Sequence, residues 1–315
     1  MTTTTTPAAD PRLQMQERLP APATMASPSW WGADSERYRL PVGPGGEPAA
    51  FVKVVREVST AYVDVAGSFA AAQAAGLAGL GPRVQSVGLA ERVLVMDDHS
   101  ATCRTATSEA FLDDAVLERY LAARRAVQHL DVPAARRASV FDDIRTVHAA
   151  ALRHGAQLPD DLAWMLRILA VAEERITAAA DREANPDTGA VFCHGDGNVS
   201  NVLLDEAGQV LLLDWDVAAV MDPLQDLGAV VSELTSTEDE ARELFERAHG
   251  SWDRSAFARC RLYGVADLVR WALIGSYVDS VDPGTLEYSK FADWQFLRAR
   301  WALAERSLDD RLNDL

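Results

Sequence analysis

Apolar and polar positions change rhythm along this chain of 315 residues. Residues 38–42 and 50–55 are short apolar runs on either side of a Gly/Pro-rich stretch at 43–48, the pattern of two strands joined by a turn. Residues 68–77 are alanine-rich and predict a helix, which stops at Gly79-Leu80-Gly81-Pro82; an extended run and a strand at 92–96 follow. The spacing then becomes helical, over 117–129, 141–154, 162–180, 238–249, 256–277 and 289–308. One interval breaks this series. Residues 190–193, 201–204 and 209–213 are short, β-rich and bounded by polar turn residues, which predicts strand, loop, strand, turn and strand.

That interval also carries the chemistry. It reads Val-Phe-Cys-His-Gly-Asp-Gly-Asn-Val-Ser-Asn from Val191 to Asn201 and Leu-Leu-Asp-Trp-Asp from Leu212 to Asp216. The turn composition of Asp205-Glu206-Ala207-Gly208 predicts a tight reversal that brings Asp196 and Asp214 to neighbouring strand ends. Magnesium takes oxygen ligands and is usually held by one or two protein groups plus substrate phosphates, a task that suits Asn201 and Asp214. Phosphoryl transfer also needs a carboxylate to orient the attacking hydroxyl and receive its proton, and Asp196 is the candidate. A single Asp-Gly pair commonly marks only a turn. Here His194, Asp196, Asn201, Asp214, Asp216, Asp222 and Asp226 fall within one short segment, which unrelated turns do not account for.

His194-Gly195-Asp196, Asn201 and the Leu-Leu-Asp-Trp-Asp run resemble the catalytic and metal-binding motifs of the aminoglycoside phosphotransferase and choline kinase superfamily. The resemblance implies an α+β, protein-kinase-like two-lobed fold, with a small β-rich N-terminal lobe and a larger, mainly helical C-terminal lobe. It implies ATP and Mg2+ as cofactors, Asp196 as catalytic base, and Asn201 and Asp214 as magnesium ligands. Asp226 would brace the catalytic loop, His194 would support it, and Asp216 would lie beside the metal. Lys53, in the third strand of the resembled fold, would contact nucleotide phosphates, with Gly32 and Ser35 as weaker backbone contacts. Asp97-Asp98-His99 would form the hinge, with adenine beside Met96 and Asp98. The expected division is a disordered tail at 1–28, a nucleotide-binding lobe at 29–97 and a catalytic and substrate-binding lobe at 98–315.

Two departures stand out. The nucleotide loop is poor in glycine, and Asp34 brings negative charge towards phosphates. Kinases of this kind usually carry a glutamate near the start of the first helix; here Ser68 occupies that position. Either the Lys-Glu pair is absent, or Asp64 replaces it one turn earlier.

Composition narrows the partners. Hydrophobic content of 48% and charged content of 24% are those of an ordinary globular chain, and no apolar run is long enough to span a bilayer. A net charge of -17 argues against nucleic acid and favours a cationic small molecule, although it also serves solubility. Three scattered cysteines predict neither a disulfide framework nor a zinc site. The amino terminus lacks the pattern of a secretory signal, so a cytoplasmic protein is expected.

For the acceptor, Tyr263, Asp267 and Trp271 fall at i, i+4 and i+8 of one predicted helix. Aromatic rings and a carboxylate on one face can hold an alkylammonium group. The same spacing also arises when the aromatics are core and Asp267 pairs with Arg270. The reading is a kinase acting on a hydroxyl of a small, amine-containing molecule, choline-like or aminoglycoside-type. A nucleotide-binding pseudokinase acting as a sensor or scaffold is the alternative raised by the two departures. The sequence leaves the oligomeric state open.

Overall fold

The computed structural model describes residues 17–18, 34–42, 49–133, 135–182, 189–283 and 287–315. The turn expected at 43–48, Gly32, and all of the 1–28 tail except 17–18 lie outside the described residues. An antiparallel sheet is built from β1 (Glu17–Arg18), β2 (Ser35–Leu40), β3 (Ala50–Val55), β4 (Val84–Gly88) and β5 (Val93–Asp97), in the order β1-β2-β3-β5-β4. Alternation along β3 separates its side chains onto two faces. Ala50 and Val52 pack with Leu40, Val93 and Val95 on one face. Phe51, Lys53 and Val55 belong to the other, the side of the helix α1 (Val65–Leu77), whose Phe69, Ala72 and Ala75 share a core with Val55 and Leu94. That core continues through Leu117, Leu204, Trp215 and Val230, so the sheet and the rest of the chain are packed as one body here.

Most of the remainder is helical: α2 (Asp114–Val127), α3 (Val140–Arg153), α4 (Leu162–Arg182), α5 (Pro223–Leu234), α6 (Glu238–His249), α7 (Arg254–Val281), α8 (Tyr288–Ala304) and α9 (Leu308–Asp314). The long α7 is buried on nearly every side, because α3, α5 and α8 all pack against it. Its Leu262, Val269, Leu273 and Ile274 are enclosed, each such side chain contributing roughly 1.5–3 kcal/mol through burial. Among the described residues no helix is long and apolar enough to cross a membrane.

Three differences from the sequence reading have local causes. α5 was not predicted, although Asp222 caps it by accepting from the Leu224 amide at 2.9 Å and Pro223 occupies its first turn. The helix expected over 289–308 divides because the backbone turns extended at Glu305, and α9 follows. The short strands are β6 (Cys103–Thr105), β7 (Val191–Cys193), β8 (Val202–Asp205), β9 (Val210–Leu212) and β10 (Ala219–Met221). β8 and β9 form the expected hairpin, with β6 on the other edge of β8, whereas β7 pairs with β10. A single hairpin therefore does not bring Asp196 to Asp214.

Candidate active site

A cavity of about 360 Å³ opens between the sheet and the helical part. Its wall includes Ser35, Lys53, Met96 and Asp98 from the sheet side, and Asp196, Asn201, Asp214 and Asp216 from the short strands and their loops. Asp267 and Trp271 of α7 also line it, while Tyr263 does not: that ring is buried, 5.8 Å from Phe141.

Two contacts to the Leu213 backbone join the loop after β7 to the segment after β9. His194 meets the Leu213 carbonyl at 2.8 Å, and the Leu213 amide donates to the Asn201 carbonyl at 2.8 Å. Because a carbonyl only accepts, the Nε2 of His194 carries a proton. Burial, aided by the nearby Arg124 charge, lowers the His194 pKa to about 3, so the ring stays neutral while supporting the loop. Next in the chain, Asp214 adopts a left-handed backbone with φ of 62°, a conformation aspartate tolerates better than most residues. This bend follows directly on the residue held by His194 and Asn201.

Asp196 is 6% exposed, and both of its carboxylate oxygens are fixed. Oδ1 accepts from the Asn198 amide at 2.8 Å and Oδ2 from Nδ2 of Asn201 at 2.7 Å. Burial raises its pKa to about 7; the Asn198 bond opposes this shift, and the charges of Asp214 and Asp267 add to it. A carboxylate with that pKa is matched to receiving a proton near neutrality. With Nδ2 of Asn201 engaged, its amide oxygen and the Asp214 carboxylate, whose Oδ1 meets Lys53, are hard donors, the ligand type magnesium takes.

Beneath this loop lies a charged brace. Arg124 of α2 grips Asp226 of α5 through Nε at 3.2 Å and Nη2 at 2.6 Å, and its Nη1 donates to the Asp196 carbonyl at 2.6 Å. Asp226 also accepts from the Gly195 amide at 2.6 Å. Arg270 of α7 donates to the Gly195 carbonyl at 2.9 Å while pairing with Asp267. Arg124 went unnoticed in the sequence, and Arg270 entered it only as the alternative partner of Asp267, a pair the structure contains. The available signal was an arginine at a helix position whose i−4 and i+3 neighbours, Tyr120 and Val127 around Arg124, are apolar and buried.

Lys53 is 7% exposed, with its ammonium among three carboxylates: Asp34 at 2.9 Å, Asp214 at 2.7 Å and Asp216 at 2.8 Å. Burial disfavours the ammonium, but the three acids outweigh it and hold the Lys53 pKa well above normal. For Asp216 burial acts first and repulsion from Asp214 adds to it, raising its pKa. Ser68 donates to the other oxygen of Asp216 at 2.8 Å. Asp64 instead caps α1, accepting from the Gly67 amide at 3.1 Å.

At the hinge, the amides of Asp97 and Asp98 donate to the carbonyls of Arg83 and Ala49, and the Asp98 carboxylate pairs with Arg39 at 2.7 Å. The far end of the cavity adds Glu233, Phe291, Gln295 and Arg298 to Asp267 and Trp271. Asp267 is paired with Arg270, the arrangement in which the acid serves the fold as well as the cavity.

Residues 31–263 match the model of a family described as phosphotransferase enzymes. The fold is similar to that of a choline/ethanolamine kinase family protein from Mesorhizobium loti, at 20% identity, covering 95% of this chain and 91% of that one, with a TM-score of 0.72. It is also similar to the choline kinase LicA from Streptococcus pneumoniae, at 13% identity, covering 86% and 89%, with a TM-score of 0.66. A spectinomycin phosphotransferase, solved with ADP and spectinomycin, matches at 14% identity over 95% and 93%, with a TM-score of 0.55.

Proposed function

The chain belongs to the phosphotransferase enzyme family, and from that premise we propose that it transfers the γ-phosphoryl group of ATP to a hydroxyl of a small, amine-bearing molecule. The observation that carries this reading is Asp196, a buried cavity carboxylate held at both oxygens, with its pKa raised to about 7. Such a group orients the acceptor hydroxyl and takes its proton as the new bond forms. Lys53 meets the nucleotide phosphates from the sheet side, and Asn201 and Asp214 hold the metal. Magnesium, when bound, neutralises charge on the phosphates. Arg124, Asp226 and Arg270 keep the loop carrying Asp196 in place through its backbone.

The two lobes divide near residue 97, with 29–97 serving the nucleotide and 98–315 the chemistry and acceptor. Trp271 and Phe291 put aromatic rings in the wall beside the acids Asp267 and Glu233, the residue types that receive an amine, with Arg270 and Arg298 offsetting part of the acid charge. Use of ATP agrees with a cytoplasmic protein. ADP release on a panel of choline-like amino alcohols and aminoglycosides tests the reading. Turnover on one of them supports it, and rates no higher than the background ATPase on all of them sink it.

A further inference from the structure

Resting on that phosphotransferase reading, we propose that Ser68 and Asp216 form the anchor that positions Lys53, a role that a glutamate on the first helix performs in kinases. The carboxylates of Asp34, Asp214 and Asp216 lie close enough together to hold a cation, and the Lys53 ammonium is that cation. The three acids are not equivalent. Asp214, the metal ligand of that reading, is the most open, with its side chain 31% exposed. Asp34 stands just before β2, with its side chain 16% exposed. Asp216 is the most enclosed, with its side chain 7% exposed.

Asp216 is also held at its second oxygen. Oδ2 meets Lys53 at 2.8 Å while Oδ1 accepts from Ser68 at 2.8 Å. Both oxygens are therefore occupied when phosphates approach, and Asp216 keeps its grip when the other two acids turn to the metal or give way. Ser68 is a buried residue of α1, so the relay ties the position of that helix to the lysine. Asp64, the other acid near the helix start, is occupied as its cap. Ser68 and Asp216 are positioning residues, since neither meets the reacting atoms.

The test titrates the full chain with Mg·ADP by calorimetry and measures steady-state kinetics on an accepted acceptor. Asp216→Asn removes one of three acids around one ammonium, and Ser68→Ala removes one hydroxyl from an alanine-rich helix; melting curves confirm that both fold. Loss of the anchoring contact is expected to weaken Mg·ADP binding about tenfold in Asp216→Asn, and about threefold in Ser68→Ala. KM for ATP rises while KM for the acceptor stays within about twofold, a split that general loosening of the fold does not produce. The exchange variant Ser68→Glu/Asp216→Asn returns the carboxylate from α1 and is expected to recover binding to within about threefold of wild type. Wild-type affinity in Asp216→Asn, or an exchange variant no better than Asp216→Asn, overturns the anchor and leaves the phosphotransferase reading intact. Wild-type protein that fails to bind Mg·ADP overturns both.

Discussion

Arg124 and Asp226 form a two-pronged ion pair, enclosed between α2 and α5, directly beneath the loop that carries Asp196. Both side chains are 6% exposed, so neither charge has water to fall back on when its partner is removed. Arg124→Ala is expected to cost about 3–5 kcal/mol, the range for orphaning one member of a buried pair. Urea unfolding measures this, and a cost below about 1 kcal/mol shows that the loop does not depend on the brace.

Asp196→Asn keeps the shape of the side chain and removes its capacity to accept a proton. The variant is expected to fold and to lose about 10²–10⁴-fold in kcat, the usual contribution of a positioned base. Near-full turnover removes Asp196 from that role.

The raised pKa of Asp196 sets a pH dependence. Turnover requires the carboxylate, so kcat/KM, which reports the free enzyme, is expected to rise with pH through an inflection near 7. The effect on stability has the opposite sense. A carboxyl whose folded pKa exceeds its unfolded value favours folding while protonated, so this contribution fades as pH rises from about 4 to about 7. Asp196→Asn lacks this component, so its melting temperature should gain a few degrees relative to wild type between pH 5 and pH 8. A flat kcat/KM profile between pH 5.5 and 8.5 contradicts the assignment.

His194 acts in the other direction. Its folded pKa of about 3 lies below the unfolded value, so the unfolded chain binds more protons between those limits and stability falls as pH drops below about 6.5. The slope from this one residue approaches ~1.4 kcal/mol per pH unit. His194→Gln should lose this component, so the stability gap between variant and wild type narrows from pH 7 to pH 5. A gap independent of pH shows that the ring titrates normally.

Asp34 and Asp216 both touch Lys53, yet their substitutions should differ in sign. Asp34 lines the cavity and meets the Lys53 ammonium at 2.9 Å, so it competes with bound phosphates for that charge, and Asp34→Asn should tighten Mg·ADP binding by about threefold to tenfold. Calorimetry decides, and weaker binding makes Asp34 part of the nucleotide site.

Much of this was legible along the chain because local spacing governs it. The β3 strand and the α6 helix begin and end where their apolar patterns do, and the β8–β9 hairpin follows from the Asp205–Gly208 turn. His194, Asp196, Asn201 and Asp214 stood out by residue type and order, and the structure brings them together around one cavity wall and its supporting loop. Tyr263, Asp267 and Trp271 share a helical spacing, but spacing does not say what packs opposite. The core takes Tyr263, and Arg270 takes Asp267.

The sequence by itself determined the kind of elements, the order of the reactive groups and the family resemblance, since each depends on residues a few positions apart. Tertiary structure alone decided that β7 pairs with β10, that Arg124 holds the Asp196 loop, and that Lys53 is anchored by an acid rather than by the first helix directly. Ser68 and Asp216 are 148 residues apart, and only the packing of α1 against the segment after β9 brings a hydroxyl and a carboxylate within hydrogen-bonding distance. The physical reason is burial. A charge in a closed site must find its partner wherever the fold supplies one, and sequence distance does not enter that requirement.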